Sequence, residues 1–589
     1  MKKALLIILA LLGAAAIVGV FVVAAVAAIA VSAKGRVPGS TILEVDFEQS
    51  IIEYVEEEPL SKILHGTALT TRDVVEALHV ASQDDRVVGF VARIGAAPLG
   101  LAQIQEIRDA VIAFRESGKP AVAWSETFGE VGPGNGAYYL ATAFDTIYLQ
   151  PSGDIGLTGL IYESPFIHGT LEKLGVTPAM DQRHEYKNAM NMFTEEEYTT
   201  AHREAMQVLM SSQFDQMVSG IAEARGLAHE EVRALIDRGP FLGQEAVDAG
   251  LVDELLYRDQ VYDRVEETAG EPSRFLFLAK YAARSGGAYR RGETIALIYG
   301  VGAVTRGRSA YDPLFGSSSM GSDTVTAAFR DAVADDDVRA IVFRVDSPGG
   351  SYVASDAIWR ETVRAKEAGK PVIVTMGNLA ASGGYFVSMW ADKIVAQPGT
   401  ITASIGVLGG KMVTDGFWDK IGLTWDEVHS SANSTMWSGL EPYTPEEWSR
   451  FQAWLDRVYG DFTTKVAEGR GLTKDRILEI AKGRVWTGAD ALEIGLVDEL
   501  GGFPAAFRLA REAAGLEPDA DIRVRLYPRP RTALETLFDD SAESSQPSAE
   551  IALLARALEI ARPAARLAQR VGILDKPRAP LAVEIPPAP

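Results

Sequence analysis

Between about residues 40 and 528, apolar runs of strand length alternate with longer segments whose apolar positions recur at helical spacing. In the second half the runs are IALIYG (295–300), AIVFRVD (340–346), VIVTMG (372–377) and KIVAQ (393–397), bounded by Gly, Pro or Asp. The stretch 357–369 that follows one of them has helical spacing and ends on Gly369, a helix stop. Two further short helices are expected over about 466–494. Strands alternating with helices imply βαβ units, hence an α/β class with mostly parallel sheets. Two segments depart from this pattern. Residues 4–32 carry no charge and are mostly Ala, Val, Ile and Leu. At 1.5 Å per residue they can cross a hydrocarbon core of about 30 Å, so one transmembrane helix is expected there. It is longer than the apolar region of a cleaved signal peptide, although Val31-Ser32-Ala33 resembles a cleavage site. Lys2 and Lys3 stand against Lys34 and Arg36 across the span, nearly a tie, and the large domains that follow favour the short end inside. After about Pro528, Pro-rich ends flank an Ala/Leu/Arg amphipathic stretch interrupted at Pro563.

The alternating region is a duplication. DRVVGFVAR from Asp85 matches DDVRAIVFR from Asp336, GKPAVAW from Gly118 matches GKPVIVT from Gly369, and DTIYLQP from Asp145 matches DKIVAQP from Asp392. GLVDEL occurs verbatim from Gly250 and from Gly495, and the openings TILEVDF (Thr41) and TIALIYG (Thr294) agree. A period of about 250 residues is a repeated domain rather than a solenoid unit. The expected organisation is an anchor over 1–35, a first repeat over 40–290, a second over 291–528, and a tail over 529–589. The repeats are not chemically equivalent. Alignment sets Asn135 opposite Ser382 and Lys187 opposite Ser434, so the first copy has the lysine and no serine nucleophile, and the second has the serine and no lysine at the matching place.

Composition narrows the chemistry. A net charge of −23 argues against nucleic-acid binding, since phosphates would be repelled. The chain has no cysteine, which excludes disulfides, a thiol nucleophile and thiolate-bound metals. Its seven histidines show no metal spacing, and no cofactor or metal is expected. GVLGGKM (406–412) lacks the spacing and hydroxyl of a phosphate loop, and Ala380 two residues before Ser382 breaks a nucleophile-elbow motif.

A constellation remains in the second repeat. VDSPGG (345–350) follows one buried-type strand and NLAASGGYF (378–386) follows the next. The Ser-Gly-Gly turn allows close backbone approach by a substrate. The N–H of Gly383 and an N–H of the Gly349–Gly350 pair are candidates to hold a developing oxyanion. Either run, taken singly, is also an ordinary conformational turn.

With SPGG, AASGGY, the TASIG stretch (402–406) and the YK of the first copy in this order, the chain resembles the signal peptide peptidase A family in its long, duplicated, membrane-anchored bacterial form. The resemblance spans about residues 40–530. It implies two tandem Clp-protease/crotonase-like domains and a serine peptidase with Ser382 as nucleophile, Lys187 as general base, Ser404 orienting the lysine, and Gly350 with Gly383 as oxyanion donors. It further implies cleaved signal peptides and other short apolar peptides as substrates, a location in the bacterial inner membrane with periplasmic catalytic domains, and a homotetramer. Lysine acts as a base only when neutral, so Lys187 is expected in a setting that lowers its pKa, with Glu185 turned away. A crotonase-like acyl-CoA enzyme and a catalytically inactive membrane scaffold are the alternatives. Whether the pair forms within one chain or between chains stays open.

Overall fold

The computed structural model describes residues 35–54, 68–95, 99–270, 272–312 and 317–529. Its frame is a pair of sheets with the same strand order. In the first repeat the order is Glu254–Leu255, Thr146–Leu149, Ala121–Ser125, Val87–Arg93, Thr41–Asp46 and Arg274–Phe277. In the second, Glu499–Leu500, Lys393–Ala396, Val372–Ala381, Val338–Ser347, Glu293–Val301 and Ile522–Tyr527 follow in that same order. Even the register irregularity recurs, between Thr41 and Ile42 in one sheet and between Thr294 and Ile295 in the other.

The repeated polar residues explain themselves as ties between strands. Asp145 accepts the amide of Ala121 at 2.9 Å, and Asp392 accepts that of Val372 at 2.8 Å. The Asp of each GLVDEL accepts the amide of Ile147 or Ile394. Tyr138 and Tyr385, both wholly buried, donate to the carbonyls of Leu251 and Leu496. Without these acceptors the buried amides of Ala121, Val372, Ile147 and Ile394 and the two tyrosine hydroxyls would be left unsatisfied, which is why the pairs persist in both copies.

The central strands are continuous apolar runs because helices cover both faces. In the second sheet, Ser322–Ala334 and Tyr352–Glu367 lie over one face and Phe503–Ala513 over the other. In the first, Thr71–Gln83 and Leu101–Arg115 cover one face and Arg258–Ala269 the other. The helix expected over 357–369 begins earlier, at Tyr352, where Ser351 caps it by accepting the amide of Ala354. Of the helices expected over 466–494, Lys474–Ile480 and Gly488–Glu493 are present, and residues 466–470 belong to the end of the long helix Pro445–Arg470.

Four expectations are corrected. The second sheet is mixed, since Ile401–Ala403 pairs antiparallel with Val485–Thr487, and beside the all-parallel first sheet Asp154–Ile155 and Phe241–Leu242 form a separate antiparallel pair. These pairs lie at the end of each sheet from which the loops of interest emerge, while Ile401–Ala403 also pairs parallel with Leu379–Ala381. Among the described residues no helix is long and apolar enough to cross a membrane. The predicted span over 4–32 lies outside the described residues, as does the tail beyond 529. With no such helix among the described residues, the membrane anchor, the inner-membrane location with periplasmic domains, and the homotetramer in that membrane setting are withdrawn.

Candidate active site

Ser382 stands at the end of one of the two longest strands of the second repeat, Val372–Ala381. The predicted run ended at Gly377, but the strand continues to Ala381 through a register shift, with Leu379, Ala380 and Ala381 paired to Ile401, Thr402 and Ala403. The Ser382 amide then donates to Ala403 O at 2.7 Å, and the chain turns into the short helix Gly383–Phe386. That turn gives Ser382 φ of 54° and ψ of −115°. A non-glycine residue in such a conformation costs about 1–3 kcal/mol, and residues of this kind cluster at functional sites.

The lysine arrives from the first repeat on a strand of its own. Thr177–Arg183 pairs antiparallel with Val407–Val413 of the second repeat along its full length. Of the two glycines that gave the sequence its partial likeness to a phosphate loop, Gly410 serves this pairing, since a Cβ there would lie 2.4 Å from Ala179 O, and Gly409 lies against the rings of Phe451 and Trp454. Four residues beyond Arg183, Lys187 enters the second repeat and its Nζ stops 3.0 Å from Ser382 Oγ. It also lies 2.7 Å from Ser404 O and 2.9 Å from Ser404 Oγ. In this arrangement both side chains belong to one chain.

Lys187 is only 6% exposed. Burial lowers its pKa from the ordinary lysine value to about 7, with no charged neighbour contributing. Glu185 does turn away, toward Lys482 at 3.3 Å. A neutral amine has two N–H donors and one lone pair. Two donors for Ser404 O and Oγ leave the lone pair facing the Ser382 hydroxyl, so three contacts match the neutral form. Ser404, at φ 50°, is held by its amide donating to Arg484 O at 2.9 Å.

The SPGG loop completes the site. Val304 N donates to Gly349 O and Ser351 N donates to Val304 O, which leaves the Gly350 amide on the other side of the chain. Among the described residues neither the Gly350 amide nor the Gly383 amide has a protein acceptor. A Cβ on Gly349 would stand 2.5 Å from Gly383 N, so the two loops touch backbone to backbone. No cluster of His, Asp or Glu that could hold a metal ion occurs among the described residues.

The counterparts of the dyad are elsewhere. Asn135 opens the helix Asn135–Ala141, and its Oδ1 accepts the amides of Thr158 and Gly159, both at 3.0 Å. Ser434 lies on an exposed loop, bonded to Ser431. Asn135→Ala is therefore expected to lower stability by about 1–3 kcal/mol while leaving kcat intact. Ser434→Ala should change neither, as thermal unfolding and peptide turnover on the same preparations will read.

Residues 113–271 and 364–517 match peptidase family S49. The chain is 32% identical over 510 residues to "Protease 4" of Salmonella typhi, covering 84% of this chain and 78% of that protein. It is 29% identical over 487 residues to "Serine protease SPPA, chloroplastic" of Arabidopsis thaliana, covering 81% and 71%. A second "Protease 4", from Haemophilus influenzae, is 29% identical over 534 residues, covering 86% and 83%. The protein is thus a hydrolase of peptide bonds, a serine peptidase of the Ser–Lys class. The chain belongs to peptidase family S49.

The sequence did not disclose the loop Lys482–Gly483–Arg484, which lies against the lysine segment. Its one available signal was a difference between the copies: counted from the two GLVDEL runs, Gly483 stands where the first repeat has Arg238.

Proposed function

We propose that this chain is an endopeptidase for extended peptide segments in which the first repeat (40–290) supplies the base and the second (291–528) the nucleophile. Lys187 Nζ takes the proton from Ser382 Oγ as the oxygen attacks the scissile carbonyl carbon. The N–H groups of Gly350 and Gly383 hold the oxyanion of the tetrahedral intermediate. Lys187 returns the proton to the departing amine, leaving an acyl ester on Ser382. A water then gives a proton to Lys187 and adds to the ester carbon, and collapse releases the acid while Ser382 regains its proton. Ser404 orients the amine through two contacts. Each repeat reads as a variation on the Clp-protease/crotonase scheme, which the parallel frame with helical crossovers supports. The observation that carries the proposal is the 3.0 Å approach of a fully enclosed lysine to a serine beside two unpaired amides. A lysine in place of a carboxylate at that position, together with the peptidase relatives, sets aside the acyl-CoA reading.

A fluorophosphonate probe tests it: Ser382 should be the labelled residue, with peptide turnover lost in step. Labelling elsewhere with turnover lost would contradict the assignment. The pH dependence follows from Lys187. Its lowered pKa means that the base is protonated, and inactive, below about 7. Activity should therefore rise with pH through an acidic limb near 7. Ser404→Ala removes one hydrogen bond to the amine, so kcat should fall roughly ten- to a hundred-fold with KM little changed. Stopped-assay rates on a short unstructured peptide across pH would read both.

A further inference from the structure

Three consecutive residues of the second repeat run beside the three that end in the lysine. Lys482 O accepts the amide of Tyr186 at 3.2 Å, and Lys482 Nζ lies 3.3 Å from Glu185. The guanidinium of Arg484 sits 4.9 Å from the centre of the Tyr186 ring and pairs with Glu204 at 2.8 Å. Between them, Gly483 faces Lys187 itself. A Cβ on Gly483 would lie 2.5 Å from Lys187 Cβ and 2.6 Å from its amide nitrogen. Gly406 closes the other side, where a Cβ would lie 3.1 Å from Lys187 Cδ and 2.8 Å from Gly483 Cα. The aliphatic stem of the lysine thus passes through a slot walled by two glycines of the other repeat.

The same triplet also reaches the serine side of the site. Gly483 N donates to Ile405 O at 2.8 Å, and Arg484 O accepts the amide of Ser404 at 2.9 Å. Gly483 has φ of 82°, a backbone region open to glycine and strained for other residues. The first repeat, which receives no lysine, carries Arg238 at the matching place, its guanidinium 4.9 Å from the Phe241 ring. A glycine is needed only in the copy into which a foreign segment docks.

We propose that Lys482–Gly483–Arg484 is a positioning clasp that receives the 185–187 segment and sets both the depth and the dryness of the lysine amine beside Ser382. The proposal rests on Lys187 being the base. Gly483 acts through contact: any side chain there pushes the Lys187 backbone outward. Arg484 acts by holding the Tyr186 ring and, through its carbonyl, the Ser404 turn. The charged groups around the segment are already engaged. Glu185 pairs with Lys482, Arg484 with Glu204, Arg183 with Asp181 and Asp456, and His184 packs edge-on to Tyr459 at 4.7 Å. Enclosure, rather than any neighbouring charge, is what the clasp supplies.

Gly483→Ala tests this in the full chain. The expected result is a kcat about a hundred-fold lower, the scale of a misplaced catalytic group. KM should be unchanged, and the acidic limb of the rate profile should move upward from about 7 toward the ordinary lysine range. A merely structural defect would lower the amount of active protein without moving the limb. Wild-type kcat together with an unmoved limb would overturn the clasp. If Gly483→Ala yields no folded protein, Arg484→Met reads the same quantity: a three- to thirty-fold loss with the limb raised is expected, roughly the worth of one cation–ring contact, and an unmoved limb overturns the proposal. Arg238→Ala, in the matching loop of the first repeat, should leave the limb in place. Lys187→Ala separates the base from the clasp. Activity surviving in that variant would remove the base assignment itself, whereas its loss alongside a normal Gly483→Ala profile would remove only the clasp.

Discussion

Ser382→Ala and Lys187→Ala are each expected to abolish measurable peptide hydrolysis in a protein that remains folded. Ser382 is a turn residue whose side chain projects into the site, so its removal opens no core. Without it the covalent route is lost entirely, and what remains is catalysis by bound water. Lys187→Ala removes the general base, a contribution of roughly 10²–10⁴-fold. It also leaves the serine hydroxyl without a partner for its proton, since the enclosed amine is the group 3.0 Å away. The two losses should not add in the double variant, because both residues act in one step. Thermal unfolding should show each single variant close to wild type. Lys187→Ala empties the slot that holds the lysine stem but also removes an enclosed amine, so the two effects offset and the net change is expected to be small. Turnover at a hundredth of wild type or more in Ser382→Ala would sink the assignment of the nucleophile.

The second large effect lies beneath the site. Arg344 is wholly buried on the strand Val338–Ser347, which ends in the SPGG loop. Its guanidinium lies 2.6 Å from Glu53 and 2.8 Å from Glu106, both from the first repeat. It also donates to Thr375 Oγ1 at 3.1 Å and stacks 4.5 Å from the Phe503 ring. Glu106 in turn accepts the amide of Phe503 at 2.7 Å. This cluster is a tie between repeats. Arg344→Met preserves most of the volume but leaves two carboxylates buried without a cation, at a cost of about 3–5 kcal/mol. Denaturant unfolding should show that loss. An unchanged midpoint would mean that the repeats are held by apolar packing alone. The matching residue of the first repeat, Arg93, is partly exposed and pairs with Asp46, Glu48 and Glu126. Arg93→Met should therefore cost far less, as partly solvated pairs do.

That contrast shows where sequence reading reached its limit. Arg93 and Arg344 are equivalent by alignment, and nothing in either motif says that only one is covered by the other repeat. The frame was legible because its strands are continuous apolar runs and because the tying aspartates recur in both copies. Ser382 and Lys187 stood out through the mismatch between copies, while the roles expected of them came from the family resemblance. The resemblance then singled out Ser404. The strand Thr177–Arg183 was not legible. Its residues TPAMDQR show no alternation, because the strand is stabilised by pairing with Val407–Val413 rather than by burial of one face. The clasp was hidden for a related reason: Lys-Gly-Arg reads as a solvated turn until the segment docked against it is known. The extension of the Ser382 strand past Gly377 depended on Asp346, whose carboxylate accepts the amide of Leu379 across the register shift at 2.9 Å.

The central claim is that one chain, folded on itself, brings a lysine of its first half to a serine of its second. It is tested most directly by mixing. Ser382→Ala and Lys187→Ala proteins, each inactive, are unfolded together, refolded at equal concentration and assayed on an unstructured peptide. If the dyad forms within the chain, every molecule in the mixture lacks one partner, and turnover stays at the level of the separate variants. If the lysine instead reaches the serine of a second copy, some assembled sites contain both intact residues. Substantial activity and fluorophosphonate labelling at Ser382 would then return, and a dyad formed within one chain would be contradicted.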